Sequence, residues 1–441
     1  MDNIKMLHRD MIHLKEIKNL QIGIKYGFIG LGMGGGSIAA ACADIETNIT
    51  NNKYPYTGLL INTNTNDYAK IKTKNEHIHK IGLAGYEMGA GRDIEIGQEA
   101  FLTNQDNVKE NINKYMSDRD FIWIVAGLGG GTGTGSILAC VNLLFELGYG
   151  DKIGLILTLP SDSEGYNVIS NALKRLQKIY EVQEHLGAII LVDNQKLHKE
   201  FIEQEPTKSA DDYLKFSNLY IAHTLHAMNI ITSSLEHIGA QYFDQSELLK
   251  MLKTSGVLSI SKISYEENQF DVLNQASYLP QFKEGFEKGI LSSGYDVQQA
   301  DLASVNFIAN EKSANRIYSR ELDSVITNTL NEYLPTAGEK PLSKFINKGS
   351  TGKVEVYILL AGLELPERAI ELIEEKNRIE KERENQKNTP NKMKEVFSSL
   401  TFESDEPKKE KKSSLFDLNS NSEPNTKESN KKKPPINIFG D

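Results

Sequence analysis

The clearest candidate for a chemical function is a glycine-rich segment, residues 127–135, which reads GLGGGTGTG. Successive glycines let backbone N–H groups converge on an anion, and threonine hydroxyls add further donors. An apolar run at residues 121–126 precedes the segment and a helical pattern at residues 136–147 follows it, which argues against a flexible linker. The P-loop pattern G-x-x-x-x-G-K-[ST] is not matched, because the lysine is missing. The segment therefore predicts a phosphate-binding loop of another kind.

A second glycine-rich segment, residues 30–37, reads GLGMGGGS and lies between a predicted strand and a predicted helix. Gly30, Gly32 and Gly35 match the G-x-G-x-x-G pattern of dinucleotide sites, which alone is weakly specific. The acidic residue that such sites carry about 20 positions later is not clearly placed, because Asp44 and Glu46 come earlier. An oxidoreductase with a Rossmann site would explain this segment but would leave residues 127–135 unexplained.

Acidic side chains form the third candidate, because Asp244 and Glu247 stand in the order D-Q-S-E before a helical pattern at residues 248–252. An aspartate at a helix N-cap with an acidic residue three positions later is first of all a helix start. A carboxylate held in this way is also well oriented to position or polarise a water molecule. The two interpretations are compatible.

The elements that must position these groups alternate along the first half of the chain. Short apolar runs lie at residues 24–29, 58–62, 121–126, 153–159 and 188–192, with helical patterns between them. Apolar strands that alternate with helices predict an α/β fold with a parallel sheet covered on both faces. Residues 211–234 predict a long helix between two domains, with Leu214, Leu219, Leu225 and Met228 as candidate core positions.

The predicted organisation has six parts. They are an amphipathic N-terminal helix at 1–22, a nucleotide-binding domain at 23–210, a central connecting helix at 211–240, a smaller α+β domain at 241–363, a C-terminal helix at 364–388 and a disordered, lysine-clustered tail at 389–441. The N-terminal helix either packs on its own domain or docks on a neighbouring subunit.

Composition excludes several classes of protein. The net charge of −10 over 441 residues gives no general basic footprint for nucleic acid, so no direct DNA binding is expected. The two cysteines, Cys42 and Cys140, imply no disulfide framework and suit a reducing cytoplasm. Neither a signal peptide nor an apolar run long enough to span a membrane is present, so we expect a cytoplasmic protein without a membrane partner.

Residues 127–135 resemble the G-G-G-T-G-[ST]-G loop of the tubulin/FtsZ family, and the resemblance extends over most of residues 24–250. It implies a tubulin/FtsZ-like, Rossmann-type GTPase domain, a long central helix and a smaller α+β C-terminal domain. It also implies GTP or GDP as the bound nucleotide, with Mg²⁺, and assembly of copies of the chain into head-to-tail filaments.

The resemblance further implies which residues contact the nucleotide phosphates. They come from two glycine loops, from an element after the second strand that resembles N-T-D, and from a γ-phosphate-sensing loop at residues 89–97. The residues implied are Gly32, Met33, Gly34, Gly35, Asn62, Asn64, Ala90, Gly91, Arg92, Gly129, Gly130, Gly131, Thr132 and Gly133. Asn64 stands where the family has an acidic residue.

At the sugar and base, the same resemblance implies Glu164, Asn194 and Asn218. Glu164 corresponds to a ribose-binding glutamate, although Val168 replaces the arginine that the family has four residues later. Asn218 corresponds to the base-reading residue on the central helix, with Phe216 or Tyr213 as stacking partners. In the family the D-x-x-[DE] pair belongs to the neighbouring subunit, which assigns Asp244 and Glu247 to a catalytic role across a subunit contact.

Within the family, residues 25–35, 51–56 and 119–124 look closest to the TubZ branch of plasmid and phage segregation proteins. That branch implies a bacterial protein, encoded by a plasmid or phage, whose filaments move DNA through a DNA-bound adaptor on the tail. An FtsZ-like cell-division GTPase stays an alternative, although residues 435–441 lack the D-x-P-x-F-[IL] peptide. A scaffold that binds GTP without hydrolysing it is a further alternative.

Overall fold

The computed structural model describes Ile4 and residues 20–49, 52–239, 242–349 and 352–388. The amphipathic helix predicted at the N-terminus therefore lies outside the described residues apart from Ile4 and its last positions, and the predicted tail lies outside them altogether. The described residues up to Lys376 form one compact unit. The described part of a second unit, residues 377–388, is helical.

Six parallel strands form the first half of the sheet, in the order β3-β2-β1-β4-β5-β6. They are β1 (Tyr26–Leu31), β2 (Thr57–Asn62), β3 (Ile78–Gly82), β4 (Phe121–Gly127), β5 (Ile153–Leu159) and β6 (Ala188–Asp193). All but β3 are buried over almost their whole length, which is why their sequences are continuous apolar runs rather than alternating patterns. The predicted parallel sheet is confirmed.

Helices connect these strands. They are α1 (Gly32–Ala43), α2 (Ile94–Thr103), α3 (Gln105–Met116), α4 (Thr132–Glu146), α5 (Tyr166–Val182) and α6 (Asn194–Gln204). The predicted central helix follows as α7 (Ala210–Ser234), which begins at a capping box formed by Ser209 and Asp212. Its 25 residues span about 37 Å at 1.5 Å per residue.

Buried hydrogen bonds fasten α7 to the sheet. The Asn229 side chain accepts a hydrogen bond from the Ile24 N–H at 2.8 Å and donates one to the Ile24 carbonyl at 2.7 Å. Tyr56 Oη lies 2.9 Å from His226 Nδ1, and burial lowers the pKa of His226 to about 3. The imidazole is therefore neutral in the folded protein, and this network sets the position of α7 beside the start of β1.

The predicted core positions of α7 are confirmed only in its second half. Leu225 and Met228 are each 3% exposed, whereas Leu214 is 57% exposed, so the prediction for Leu214 is wrong. Leu214 lies about three helical turns before Leu225 and thus on nearly the same face. Its exposure arises because that face is covered at the C-terminal half of α7 and open at the first turns.

The second half of the described chain continues the same sheet. Its elements are β7 (Glu236–Ile238), α8 (Gln245–Lys253), β8 (Gly256–Glu266), α9 (Leu279–Glu287), β9 (Leu302–Ala309), α10 (Glu311–Ile317), α11 (Arg320–Tyr333), β10 (Leu342–Ile346), β11 (Lys353–Leu363) and α12 (Glu367–Asn388). Strand β8 pairs with the start of β6, and the order then runs β8-β11-β9-β10-β7. One 11-stranded sheet thus passes through both predicted domains, and the domain limits stay a prediction.

Both cysteines are buried and free, as the sequence led us to expect. Burial raises the pKa of each thiol, so both sulfur atoms are protonated and inert at neutral pH. Within the described ranges, the helices are too short or too polar for any of them to traverse a lipid bilayer.

Candidate functional site

The carboxyl ends of the parallel strands carry the segments singled out in the sequence. Gly32 follows β1, the Asn62 element closes β2, and the 127–135 segment follows β4. Glu164 lies in the loop after β5, and Asn194 follows β6. Carboxyl ends of parallel strands share one edge of a sheet, which is where open α/β sheets bind ligands. The structure therefore brings these predicted residues to a common edge.

The first glycine segment differs from the predicted loop. Strand β1 continues to Leu31 and α1 begins directly at Gly32, whose φ is +69°, so the following glycines belong to the first turns of the helix. A Cβ at Gly35 would lie 2.1 Å from the Val125 carbonyl oxygen, so close packing on β4 requires glycine there. Gly34 is exposed at the helix start, and its open N-terminus favours an anion.

The second glycine segment is held in shape by its own threonine. Thr134 Oγ1 accepts a hydrogen bond from the Gly129 N–H at 2.8 Å and lies 3.3 Å from the Gly127 carbonyl. Gly129 has φ +107°, a conformation that favours glycine. Gly130 is exposed, and a Cβ there would meet no atom within 4 Å. The Gly130 backbone is thus presented to the solvent at the centre of the loop.

The two glycine segments are in direct backbone contact. A Cβ at Gly32 would lie 2.8 Å from the Gly133 nitrogen, and one at Gly133 would lie 2.7 Å from the Leu31 oxygen. The hydroxyl oxygens of Thr63 and Thr132 lie 2.7 Å apart, which joins the element after β2 to the start of α4. The two glycine segments and the element after β2 thus pack together, and their role as phosphate contacts stays a prediction.

The predicted sensing loop, residues 89–97, rests on the second glycine segment. A Cβ at Gly131 would lie 2.7 Å from the Ala90 Cβ and 2.9 Å from the Asp93 oxygen. Asp93 caps α2 by accepting the N–H groups of Glu95 and Ile96 at 2.9 and 3.1 Å. Gly91 and Arg92 are exposed and have φ of +56° and +67°. The loop is therefore a sharp turn that is anchored at its C-terminal end by the cap.

The element after β2 contains a carboxylate that the sequence analysis missed. The Asn62 side chain donates to Asp67 Oδ2 and to the Asn64 carbonyl, both at 3.1 Å. The Asn64 side chain accepts the Asn66 N–H at 3.0 Å and caps a 3₁₀ turn at Thr65–Lys70. Asn64 therefore starts a turn that brings Asp67 back to Asn62. An Asn followed three positions later by an acid is a capping signal that could have pointed to Asp67.

The residues predicted to contact the sugar and base lie around α6 and the first half of α7. Glu164 is exposed, and its Oε1 lies 3.3 Å from the Ser161 nitrogen within the loop after β5. The Tyr213 hydroxyl donates to the Asn194 carbonyl at 2.9 Å, which joins α7 to the start of α6. Asn218 is half-buried two helical turns into α7. Among the described residues, no hydrogen bond joins Glu164, Asn194 and Asn218 to one another, so their shared role stays a prediction.

The prediction that Phe216 could stack on the base is wrong. Its ring is fully buried, with centroid distances of 5.1 Å to Phe201 and 5.0 Å to Tyr220. It belongs to a small apolar core that includes Ile4. Tyr213, the other predicted partner, is only half-buried and keeps access to solvent.

Asp244 is the N-cap of α8, as the capping interpretation predicted. Its Oδ1 accepts the N–H groups of Ser246 at 2.8 Å and Glu247 at 3.1 Å, and the Ser246 hydroxyl at 2.6 Å. Burial pushes the pKa of Asp244 upward, but these donors outweigh burial and leave the pKa below its usual value. Asp244 is thus an ionised carboxylate at neutral pH, and both it and Glu247 are partly exposed.

The acidic pair lies at the opposite end of the sheet from the glycine segments. A Cβ at Gly23, before β1, would lie 2.9 Å from the Gln245 Cβ. Lys253 pairs with Asp151 at 2.9 Å just before β5, and Ser255 Oγ donates at 2.8 Å to the Leu186 carbonyl just before β6. Helix α8 therefore lies along the amino ends of the strands, about 20 Å from the glycine segments. Within one chain the structure does not bring Asp244 and Glu247 to the predicted nucleotide site.

Comparison with known proteins identifies the family of the chain. Residues 25–201 match the GTPase domain of the tubulin/FtsZ family, and residues 241–367 match the C-terminal domain of the tubulin-like protein TubZ. The tubulin-like protein TubZ of Bacillus cereus is 40% identical over 403 residues, which cover 88% of this chain and 92% of that protein.

More distant relatives share less of the chain. Cell division protein FtsZ 1 of Pyrococcus abyssi is 26% identical over 275 residues, covering 60% of this chain and 66% of that protein. A crystal structure of the GTPγS-form protofilament of Bacillus thuringiensis serovar israelensis TubZ superposes with a TM-score of 0.72 at 22% identity, covering 87% of this chain and 98% of that one. The fold, the two family matches and the 40% identity together show that the chain belongs to the tubulin/FtsZ family of GTPases, in its TubZ branch.

Proposed function

We propose that this GTPase polymerises head to tail and that each subunit contact completes a site for GTP hydrolysis. The observation that carries the proposal is the placement of the glycine segments and of the pair Asp244 and Glu247 at opposite ends of one sheet. Two half-sites about 20 Å apart in one chain cannot act on the same nucleotide. Stacking of subunits in one direction would put them together, and such heterologous contacts form open filaments.

In this proposal each part of the carboxyl edge has a separate role. The exposed backbone at Gly34 and Gly130 receives the phosphates, since both present N–H groups in a dipole-favoured position. Glu164 and Asn194 contact the ribose, and Asn218 reads the base. Asp244 and Glu247 of the next subunit orient or polarise the attacking water, which needs ionised carboxylates. The lowered pKa of Asp244 meets that need.

The residues at the carboxyl edge also fit a magnesium ion carried by the nucleotide. Mg²⁺ keeps most of its ligands as water and phosphate oxygens and takes one or two oxygens from the protein. Asp67, next to Asn62, and the hydroxyl of Thr132 are the oxygen donors we assign to it. When bound, the ion would neutralise charge on the β- and γ-phosphates. The described residues hold no group of three His, Cys, Asp or Glu that would bind a metal alone.

Relatives favour a filament protein of the TubZ type over the alternatives. The TubZ relative matches a larger share of the chain, and at higher identity, than the FtsZ relative. A TubZ protofilament has been solved in its GTPγS form, which supports both the nucleotide and the assembly proposed here. A dinucleotide oxidoreductase leaves the second glycine segment without a role. A scaffold without hydrolysis accounts for Asp244 only as the N-cap of α8.

We expect GTP turnover per subunit to rise steeply above a critical protein concentration. The reason is that an isolated subunit contains only half of each hydrolytic site. Phosphate release and light scattering should be measured together over a concentration series of the full chain. Turnover that is independent of concentration, without scattering, would contradict the shared site and indicate a self-contained nucleotide enzyme.

We further propose that the filament segregates a plasmid or phage genome in the bacterial cytoplasm through a DNA-bound adaptor that grips the tail. The tail carries lysines at residues 408, 409, 411 and 412 and at residues 431–433, in a sequence too polar to form a core. With a net charge of −10, the chain is poorly suited to bind DNA by itself, which is why an adaptor is needed.

Deletion of residues 403–441 should leave polymerisation and GTP turnover within about twofold of the full chain while abolishing capture of the adaptor, since the folded part retains both half-sites. Adaptor capture by immobilised full-length and truncated filaments measures the difference. A variant with neutral residues at 431–433 is the matched control for lysine charge alone. Equal capture by truncated filaments would exclude the tail as the adaptor site.

A further inference from the structure

Asn171, on the exposed side of α5, reaches both the sensing loop and the second glycine segment. Its Nδ2 donates to the Arg92 carbonyl at 2.8 Å and lies 3.5 Å from the Gly129 carbonyl. Both partners are carbonyl oxygens, so the amino end of the side-chain amide must be the end that faces them. A single side chain thus adds a hydrogen-bonded link between two segments that also pack directly against each other, with Ala90, Asp93 and Gly97 close to Gly131.

The carbonyl that Asn171 holds belongs to a strained residue. Arg92 has φ +67°, and all other described residues with positive φ are glycines. A residue with a Cβ pays for the left-handed conformation, and such a residue persists only where its surroundings hold it. The backbone hydrogen bond from the Asp93 N–H to the Ala90 carbonyl, at 2.8 Å, closes the turn around Gly91 and Arg92, and the hydrogen bond from Asn171 is the side-chain contact that holds the Arg92 carbonyl.

The strained backbone of Arg92 determines the path of the sensing loop. Arg92 lies between Gly91, also left-handed, and Asp93, which caps α2, so its backbone sets how the loop turns into that helix. If Arg92 relaxed to negative φ, the turn would lose its shape, and the close approach of Ala90 to Gly131 would change. The Ala90 end of the sensing loop would then lose its packing on the second glycine segment, whereas Gly97 at the other end stays packed against Gly131.

We propose that Asn171 is a positioning residue that holds the sensing loop in its γ-phosphate-competent form through the Arg92 carbonyl. The inference rests on the proposed GTP site and adds a residue that does not itself touch the nucleotide. Because the loop senses the γ-phosphate, the loss of Asn171 weakens binding of a triphosphate and spares a diphosphate.

Binding of GTPγS and of GDP to the full chain, below the concentration at which scattering rises, tests this proposal by calorimetry. We expect Asn171→Ala to weaken GTPγS binding about tenfold, which corresponds to ~1.4 kcal/mol, and GDP binding less than about twofold. Asn171→Asp is the isosteric comparison. Its carboxylate has no donor and faces two carbonyl oxygens, so it should weaken GTPγS binding at least as much.

A double-mutant cycle with Arg92→Gly separates positioning from general damage. Glycine adopts φ +67° without strain, so Asn171→Ala should change the GTPγS-to-GDP affinity ratio less than about twofold in the Arg92→Gly background. An equal loss of both nucleotides, or the same loss of GTPγS in both backgrounds, would overturn the proposal. If the unaltered chain bound neither nucleotide, the proposed GTP site would fail, and with it the assignment of Asn171.

Discussion

Asp244→Asn should lower assembly-stimulated GTP hydrolysis by at least about 100-fold while GTP binding and filament formation persist, because charge is removed where a water must be activated. The isosteric change keeps the N-cap, since the amide oxygen can still accept the N–H groups of Ser246 and Glu247. Phosphate release and pelleting of filaments, measured at one protein concentration above the assembly threshold, give the two quantities. We expect stable filaments with little phosphate release.

A mixing experiment tests the direction of the shared site. Asp244→Asn subunits bind GTP but supply no carboxylate, whereas subunits blocked in their own glycine segment supply Asp244 but bind no GTP. Each variant alone should be inactive, and a mixture should recover hydrolysis where an intact carboxylate meets a loaded site. If the mixture hydrolysed GTP no faster than the sum of the two variants measured alone, Asp244 would act within its own chain. That result would contradict the separation of about 20 Å.

Asp296→Asn is a matched control for Asp244→Asn. Asp296 caps a 3₁₀ turn at Val297–Gln299 by accepting the Gln298 N–H at 3.2 Å, so the substitution makes the same chemical change at another cap. It should leave phosphate release within about twofold of the unaltered chain, since an Asn cap stabilises about as well as an Asp cap. A comparable loss of hydrolysis in both variants would indicate that capping, rather than a catalytic charge, is what Asp244 provides.

Five of the six parallel strands were predictable because a strand's burial shows in its own residues, whereas the partly buried β3 (Ile78–Gly82) was missed. A strand buried on both faces must be apolar along its length, and runs such as Phe121–Gly127 and Ile153–Leu159 show this directly. The predicted limits of these strands agree with the observed ones to within two residues. The central helix was also predictable from the sequence, since its observed range, Ala210–Ser234, follows a capping box at Ser209.

The start of α1 could not be read from local propensity. Glycine disfavours helix, which suggests a loop over the GLGMGGGS segment, yet the helix begins at Gly32. A long-range packing contact determines where the helix starts, because Gly35 must pack against the Val125 carbonyl of a strand that is 90 residues later in the chain. Phe216 was mispredicted for a related reason. Its burial depends on Phe201, on a different helix.

The missed residues show the same limit in the site itself. Asp67 becomes relevant only because a turn capped by Asn64 brings it to Asn62. Asn171 is ordinary in sequence, and its meaning comes from the left-handed φ of Arg92, which no local pattern reveals. The motif letters thus locate the nucleotide site, while the side chains that hold it in shape appear only when distant segments are packed together.

The second large effect concerns the phosphate contact itself, at Gly130. A Cβ at this position would meet no protein atom within 4 Å, and its φ is not positive, so Gly130→Ala should fold normally. The added methyl group points into the open space where we place the phosphates and should weaken GTP binding by roughly 10–100-fold, because a phosphate needs close approach to backbone N–H groups. Calorimetric titration with GTP and thermal unfolding without nucleotide measure the two effects separately.

Three consecutive glycines of α1 provide the matched comparison, because each would place a methyl group in different surroundings. At Gly35 it would lie 2.1 Å from the Val125 oxygen, so Gly35→Ala should cost about 3 kcal/mol of stability by overpacking. At Gly36 its nearest neighbour is Ile71 Cδ1 at 3.6 Å, so Gly36→Ala should leave stability unchanged or slightly raised.

Exposed Gly34 completes the comparison, since its methyl group would lie 4.0 Å from the Gly127 Cα and otherwise in the open. Gly34→Ala should therefore resemble Gly130→Ala, with a normal unfolding temperature and weakened GTP binding, and unlike Gly35→Ala it should be recovered as folded protein. Normal GTP affinity in both Gly34→Ala and Gly130→Ala would place the phosphates elsewhere. Weakened binding in both, with intact folding, assigns the phosphates to the N-terminal ends of α1 and α4, because those are the two backbones whose exposed faces the methyl groups obstruct.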